Sequence, residues 1–168
     1  MKNIKTKILL LATLILIAVG SSMAMMVTMS RVSSQVKVLG IDKIEIKGLS
    51  GVQITVEIEN SSKYDLTMSD AFADLKVNGD KIATMRQVDP ATSHSQKRES
   101  IVTLWRLDDI NPMSLLMLSS QIAKNDFSSL TMDYESVIQA GRYTHNFSDE
   151  EVEISKFLTM FQQDSSKL

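Results

Sequence analysis

The sequence predicts a mostly β domain, a two-sheet sandwich of about seven short strands with one inserted helix, set behind an N-terminal hydrophobic helix. Three observations carry this. Residues 52–59 alternate apolar and polar, the period of a strand with one buried face. Turn-forming residues separate such runs at Leu49-Ser50-Gly51, Asn60-Ser61-Ser62, Asn78-Gly79-Asp80 and Gly141. The first thirty residues differ in kind: Lys2, Lys5 and Lys7 precede an apolar run from Ile8 to Gly20, interrupted only by Thr13.

A short cationic segment ahead of a hydrophobic core reads as an export or membrane-insertion signal. Apolar character resumes after Ser21 and Ser22 and continues to Met29. Residues 8–29 as a helix rising about 1.5 Å per residue span roughly the 30 Å hydrocarbon layer, so they suit a single-pass anchor. The alternative is a signal peptide cut before Met25, after the small-x-small pattern Ser22-Met23-Ala24. In both readings the lysines stay in the cytoplasm and residues 31–168 lie on the non-cytoplasmic side. A buried core helix should carry a polar face, which Ile8–Val19 lacks. Lipoprotein attachment needs a cysteine, and the chain has none.

Beyond residue 30 the chain is long enough for one domain and its core. That region carries 15 Lys+Arg against 20 Asp+Glu, an acidic balance that excludes the basic surface of a nucleic-acid binder. The lack of cysteine removes disulfides, thiol catalysis and zinc-thiolate sites together. Five of the eleven methionines lie in the leader, and the other six read as core filler.

Residues 31–35 form a polar linker, and the domain covers 36–161. Val36, Val38, Ile41, Ile44 and Ile46 make a first strand, with Gly40 and Asp42 marking a bulge or break. Val52, Ile54, Val56 and Ile58 form the buried face of a second. A third covers Leu66 to Val77, the Asn78-Gly79 turn tolerates positive φ angles, and Lys81 to Val88 returns with Ile82 and Met85 inward. Asp89 to Lys97 is polar, holds Pro90 and reads as a loop. In Glu99 to Leu107, Ile101, Thr103, Trp105 and Leu107 share one face. Asn111 is an N-cap with Pro112 at the first helical position and Asp108 and Asp109 near the positive dipole end. Leu115, Leu118 and Ile122 then give a helical stripe that Leu116 widens. Strands resume over Leu130 to Ala140 and Arg142 to Phe147. A short C-terminal helix carries Ile154, Phe157, Leu158 and Phe161 before a polar tail, 162–168.

The strand Val52–Glu59 running into Asn60-Ser61-Ser62 and Tyr64-Asp65-Leu66 resembles the Asn-Pro-Asn region of late-embryogenesis-abundant type 2 domains, also called water-stress and hypersensitive-response domains. Ala73 to Gly79 followed by Ile82-Ala83 is similar to that family's strand, Asn-Gly turn and returning strand, and Leu130–Gly141 to its late strand pair. Ser61 stands where proline is usual. The resemblance covers roughly residues 36–160. It implies a fibronectin type III- or immunoglobulin-like sandwich, no catalytic site, and a role in stress tolerance or envelope interactions, often from a bacterial membrane anchor.

No catalytic, cofactor-binding or metal-ligating constellation stands out. His94 and His145 lack metal-ligand spacing. Gly48-Leu49-Ser50-Gly51 does not meet the nucleophile-elbow pattern and reads as a turn. Ser148-Asp149-Glu150-Glu151 lacks the alternating ligands of a calcium loop and reads as a solvated edge. Gln96-Lys97-Arg98 is the domain's one basic cluster, read as a loop that guards an edge. Asn60-Ser61-Ser62 and Asn146-Phe147-Ser148 match the glycosylation acceptor pattern. A hydrolase assembled from distant serine, aspartate and His145 has no motif behind it. The expectation is a non-enzymatic, cofactor-free module, binding or protective in the cell envelope. Its partner is the membrane through residues 8–29, with an envelope protein or a lipid as a further one, or it is a docking subunit of an envelope complex.

Overall fold

The computed structural model describes residues 13–155 apart from 15–16, 19, 22–23, 26–27, 30, 49–50 and 125, and apart from the side chains at 115, 119, 122 and 123. The polar tail and the expected C-terminal helix beyond Ser155 lie outside the described residues. Among the described residues there are eight strands: β1 Val36–Lys47, β2 Gly51–Asn60, β3 Leu66–Val77, β4 Asp80–Gln87, β5 Ala91–Ser93, β6 Lys97–Asp108, β7 Leu130–Ala140 and β8 Tyr143–Glu153. The helix Pro112–Ala123 lies between β6 and β7.

All eight strands join one antiparallel sheet in the order β1-β2-β6-β4-β3-β7-β8, with β5 paired to β3 off that path. This differs from two separate expected layers. The link is β6, whose Lys97–Arg106 stretch pairs with β2 while Trp105–Asp108 pairs with β4. Side-chain alternation dictates which way a strand faces, not which neighbours it bonds, so the join was not legible. β5 is the strand absent from the expected set. Pro90 precedes it and only three residues pair, yet Ala91 and Ser93 are buried.

β2 and β6 have the faces expected of them, whereas β8, expected over Arg142 to Phe147, buries no residue there. Val52, Ile54, Val56 and Ile58 are at most 1% exposed. On β6, Ile101, Thr103, Trp105 and Leu107 point inward while Val102 is exposed. Register shifts in β1 fall between Val38 and Gly40 and between Ile41 and Lys43, where a bulge was expected. Asn78 and Gly79 take φ of 52° and 85°, and Val77 pairs with Asp80 across them, a two-residue hairpin. β4 is buried on both faces from Ile82 to Met85, because the inserted helix packs against it and the Asn111 N–H donates to the Ile82 carbonyl.

The helix begins as its sequence dictates: the Asn111 side-chain oxygen accepts from the Met113 and Ser114 N–H groups at 3.1 and 3.3 Å. Its packing is narrower than the expected stripe. Leu118 is fully buried, but Leu116 faces solvent.

The described leader residues are helical and belong to the core of the same domain. Leu14, Ile17, Ala18, Ala24, Met25 and Met29 are buried in one cluster with the inner face of the sheet. Their spacing of three and four is that of one helical face. Small residues bring that face close: a Cβ added at Gly20 would touch the Met132 sulfur at 3.5 Å. Among the described residues no helix is long and apolar enough to cross a membrane.

Candidate functional site

The most organised surface feature lies where the linker meets the turn after β2. Asn60 ends β2 fully buried, and its amide donates to the carbonyls of Tyr64 at 2.9 Å and Ser93 at 3.1 Å. Its Oδ1 accepts from the Ser62 N–H at 3.0 Å. The Ser62 hydroxyl donates to the Tyr64 carbonyl and accepts from the Tyr64 N–H. The Ser61 N–H donates to the Gln35 carbonyl at 2.9 Å, tying the linker to this turn. A buried polar side chain with every polar atom paired fixes one conformation of the chain.

This rigid turn borders an open groove of about 580 Å³, with Val32, Gln35, Tyr64, Tyr143 and His145 among its lining. Lys63 holds its ammonium 5.1 Å from the Tyr64 ring centroid, within cation–π reach. The groove presents aromatic faces, hydroxyls, one imidazole and one ammonium, and no carboxylate among its described lining. It can bind by stacking and hydrogen bonding. It does not assemble a nucleophile with a base and an orienting acid.

The residues singled out by chemistry are scattered. His94 is exposed and bonded to Glu99. The His94 N–H, then the ring, hold the Glu99 carboxyl below its ordinary range despite partial burial. His145 stands on edge strand β8 beside Phe147, ring centroids 6.1 Å apart. Among the described residues no group of three His, Asp or Glu is placed to hold a metal.

Asp108 and Asp109, just ahead of the helix, also lie beside cations, one of them on Asp108's own strand. Asp108 accepts from Arg106 Nε at 2.9 Å and lies 3.6 Å from Arg86 Nε, while Asp109 is 3.7 Å from Lys81. Lys97 and Arg98 open β6 where it pairs with β2 on one side and with no β4 residue on the other, and Arg98 is bonded to Glu57 at 2.7 Å. The acidic run sits on edge strand β8 as expected. There Asp149 pairs with Arg31 at 3.2 Å, and the Glu151 N–H donates to Asp133, which also binds Lys76. Of the two glycosylation patterns, Asn60 is sealed in the interior and Asn146 is on the surface.

Sequence reasoning missed a second feature. Ile110, Met113, Leu116 and Met117 are 37%, 71%, 57% and 48% exposed, an apolar surface along the helix opposite Leu118. The signal was present, since positions 113, 116 and 117 share a face at 100° per residue. It was hidden because the helix is apolar on both sides.

No protein-family model matches the chain. No curated protein matches it. Among solved structures it is similar to a protein from Archaeoglobus fulgidus at 17% identity, over 68% of this chain and 94% of that one, with a TM-score of 0.42. It is also similar to the GAE domain of yeast GGA1 at 8% identity, over 70% of this chain and 89% of that one, with a TM-score of 0.31. Neither similarity bears on what this chain binds.

Proposed function

We propose that this chain is a non-enzymatic, sandwich-like β-module of the late-embryogenesis-abundant type 2 kind that works at a membrane through a retained leader. Its role is to bind or protect in the cell envelope. The carrying observation is the leader itself. Its described apolar residues from Leu14 to Met29 are buried with the sheet. The intervening residues Ile15, Leu16, Val19, Met23, Met26 and Val27 are apolar in sequence as well. A segment apolar at most positions and led by lysines suits contact with lipid. Cleavage before Met25 would strip Leu14, Ile17, Ala18 and Ala24 from the core, which supports retention.

Two arrangements satisfy this reading. In the first, residues 8–29 span the bilayer and the domain stands on the non-cytoplasmic side. In the second, the leader stays docked on the sheet and the domain rests on a membrane surface. The burial of the leader favours the second. Fractionation and an intact mass test the shared reading. The full chain should sediment with membranes and begin at Met1, and a soluble chain beginning at Met25 would overturn it. A reporter active only in the cytoplasm, fused after Leu168, separates the arrangements: silence supports the span.

A further inference from the structure

We infer that the groove between the linker, the turn after β2 and the β7–β8 hairpin is a saccharide-binding site. The chain has three tyrosines, and only Tyr134 is buried. The other two, Tyr64 and Tyr143, are 39% and 58% exposed, and both line this groove. Tyrosine joins an apolar ring to a polar tip, the combination that binding surfaces favour. Two such rings on one concave surface, with no packing role for that of Tyr143, set the groove apart from the rest of the domain surface.

The backbone fixes where these rings stand. Tyr64 has its N–H and carbonyl bonded to Ser62, and its carbonyl also accepts from the Asn60 amide. Its ring lies against the β7–β8 turn, where Gly141 takes a φ of 59° and an added Cβ would come 3.3 Å from it. On β8, Tyr143 pairs with Ala140 and His145 with Ile138. Two residues apart on one strand, Tyr143 and His145 leave the same face of the sheet. Gln96, at a φ of 54°, is held by its N–H, which donates to the Ser62 carbonyl at 3.2 Å. Walls fixed in this way lose little conformational freedom when a ligand binds.

The polar lining matches a polyol. The side chains of Gln35, Ser61, Gln96 and His145 hydrogen-bond to no described residue. Each offers both a donor and an acceptor, the imidazole in its neutral form, and sugar hydroxyls use both. A sugar ring also presents a C–H face that lies flat on an aromatic one. Other ligand classes match less well. An acyl chain would bury these polar groups unpaired. A nucleic acid would meet an acidic domain. A small anion would find in the groove one ammonium, that of Lys63, already over the Tyr64 ring. Ser61 and Gln96 also border a second hollow of about 260 Å³, so the concave surface continues past the two rings, as an oligosaccharide requires.

The test uses the full chain in micelles of a phosphocholine detergent, which carries no sugar. Maltotriose and chitotriose as neutral trisaccharides and trigalacturonate as an acidic one are titrated calorimetrically, with citrate and triglycine as an anion and a peptide. At least one trisaccharide should bind with a Kd below about 1 mM. Tyr143→Ala should weaken that binding by about tenfold through loss of a stacked ring, and Tyr143→Phe should keep it within about threefold. Tyr143 is 58% exposed, so both variants should melt with the unsubstituted chain.

Binding of no trisaccharide below that concentration would overturn the inference. Trisaccharide binding that Tyr143→Ala leaves unchanged would place the sugar elsewhere and overturn it too. Citrate binding that Lys63→Ala abolishes, with the trisaccharides inert, would make the groove an anion site, and triglycine binding as tightly as the best trisaccharide would make it a peptide site; either result refutes the assignment. Should Tyr143→Ala lower the melting temperature, Gln35→Ala takes its place, since that side chain bonds nothing in the domain, and unchanged binding in that variant would be equally decisive against the site. The groove is built from linker and domain residues, so these results are read apart from membrane fractionation.

Discussion

Met29→Ala in the full chain decides whether the leader is part of the domain. Met29 is 0% exposed and among the largest fully buried side chains, and its carbonyl accepts from the Ser33 N–H as the helix gives way to the linker. Truncating a buried methionine to alanine removes apolar contact and leaves a cavity, at a cost of about 2–5 kcal/mol. Domains of this kind have roughly 5–15 kcal/mol of stability in all. At about 2–4 °C per kcal/mol for a chain of this length, the melting temperature should fall by roughly 4–20 °C. The assay is thermal unfolding followed by the β-sheet circular dichroism signal, with Met113→Ala as the control. That control side chain is 71% exposed, so its removal should change stability by no more than about 0.5 kcal/mol. A Met29→Ala chain that melts within about 1 °C of the unsubstituted one would refute the packing of the leader on the sheet, because a helix residing in lipid contributes nothing to domain melting.

Three further outcomes follow from the same geometry. Ile54→Asp, at 0% exposure, places an unpaired charge in the core and should abolish the folded signal, whereas Thr55→Asp on the half-buried opposite face should remain folded. Urea denaturation of both would expose an error in register if their order were reversed. Asn60→Ala deprives the Tyr64 and Ser93 carbonyls and the Ser62 N–H of their partner, and should lower unfolding free energy by about 1–3 kcal/mol or more in chemical denaturation; an unchanged midpoint would show that the turn holds without it. For Asp133, burial opposes ionisation, but the Glu151 N–H and Lys76 outweigh it and hold the carboxyl below its ordinary range. A folded pKa below the unfolded value of about 3.9 means that this contribution is present above that pH and lost as pH falls through the folded pKa. Asp133→Asn should therefore flatten the acid limb of the stability profile, and a limb of unchanged slope would contradict the assignment.

The strands were legible because burial on one face writes itself into every second residue. Val52 to Ile58 and Ile101 to Leu107 needed nothing more. The Asn78-Gly79 hairpin and the Asn111 cap were legible because each depends on a few adjacent residues and their backbone geometry. β5 was not, since three residues are too few for a period and its support is the β3 strand some twenty-five residues earlier. The helix misled in one respect. Apolar residues on both of its sides leave rotation undetermined, and contact with β4 selected Leu118 for the interior over Leu116. The Asn60 network drew notice in sequence as a turn, but its partner Ser93 is thirty-three residues away.

The sequence by itself determined a mostly β domain, its strand faces, its hairpins and helix start, and an apolar leader led by lysines. These are local properties, set by side-chain period, turn chemistry and charge within a few residues. Only the tertiary structure decided that β6 bonds to both β2 and β4, that Asp108 and Asp109 come near Arg86 and Lys81 of β4, and that leader residues pack into the core. Those depend on which distant surfaces meet. Hydrophobic burial is non-directional, so an apolar segment has the same sequence whether protein or lipid covers it.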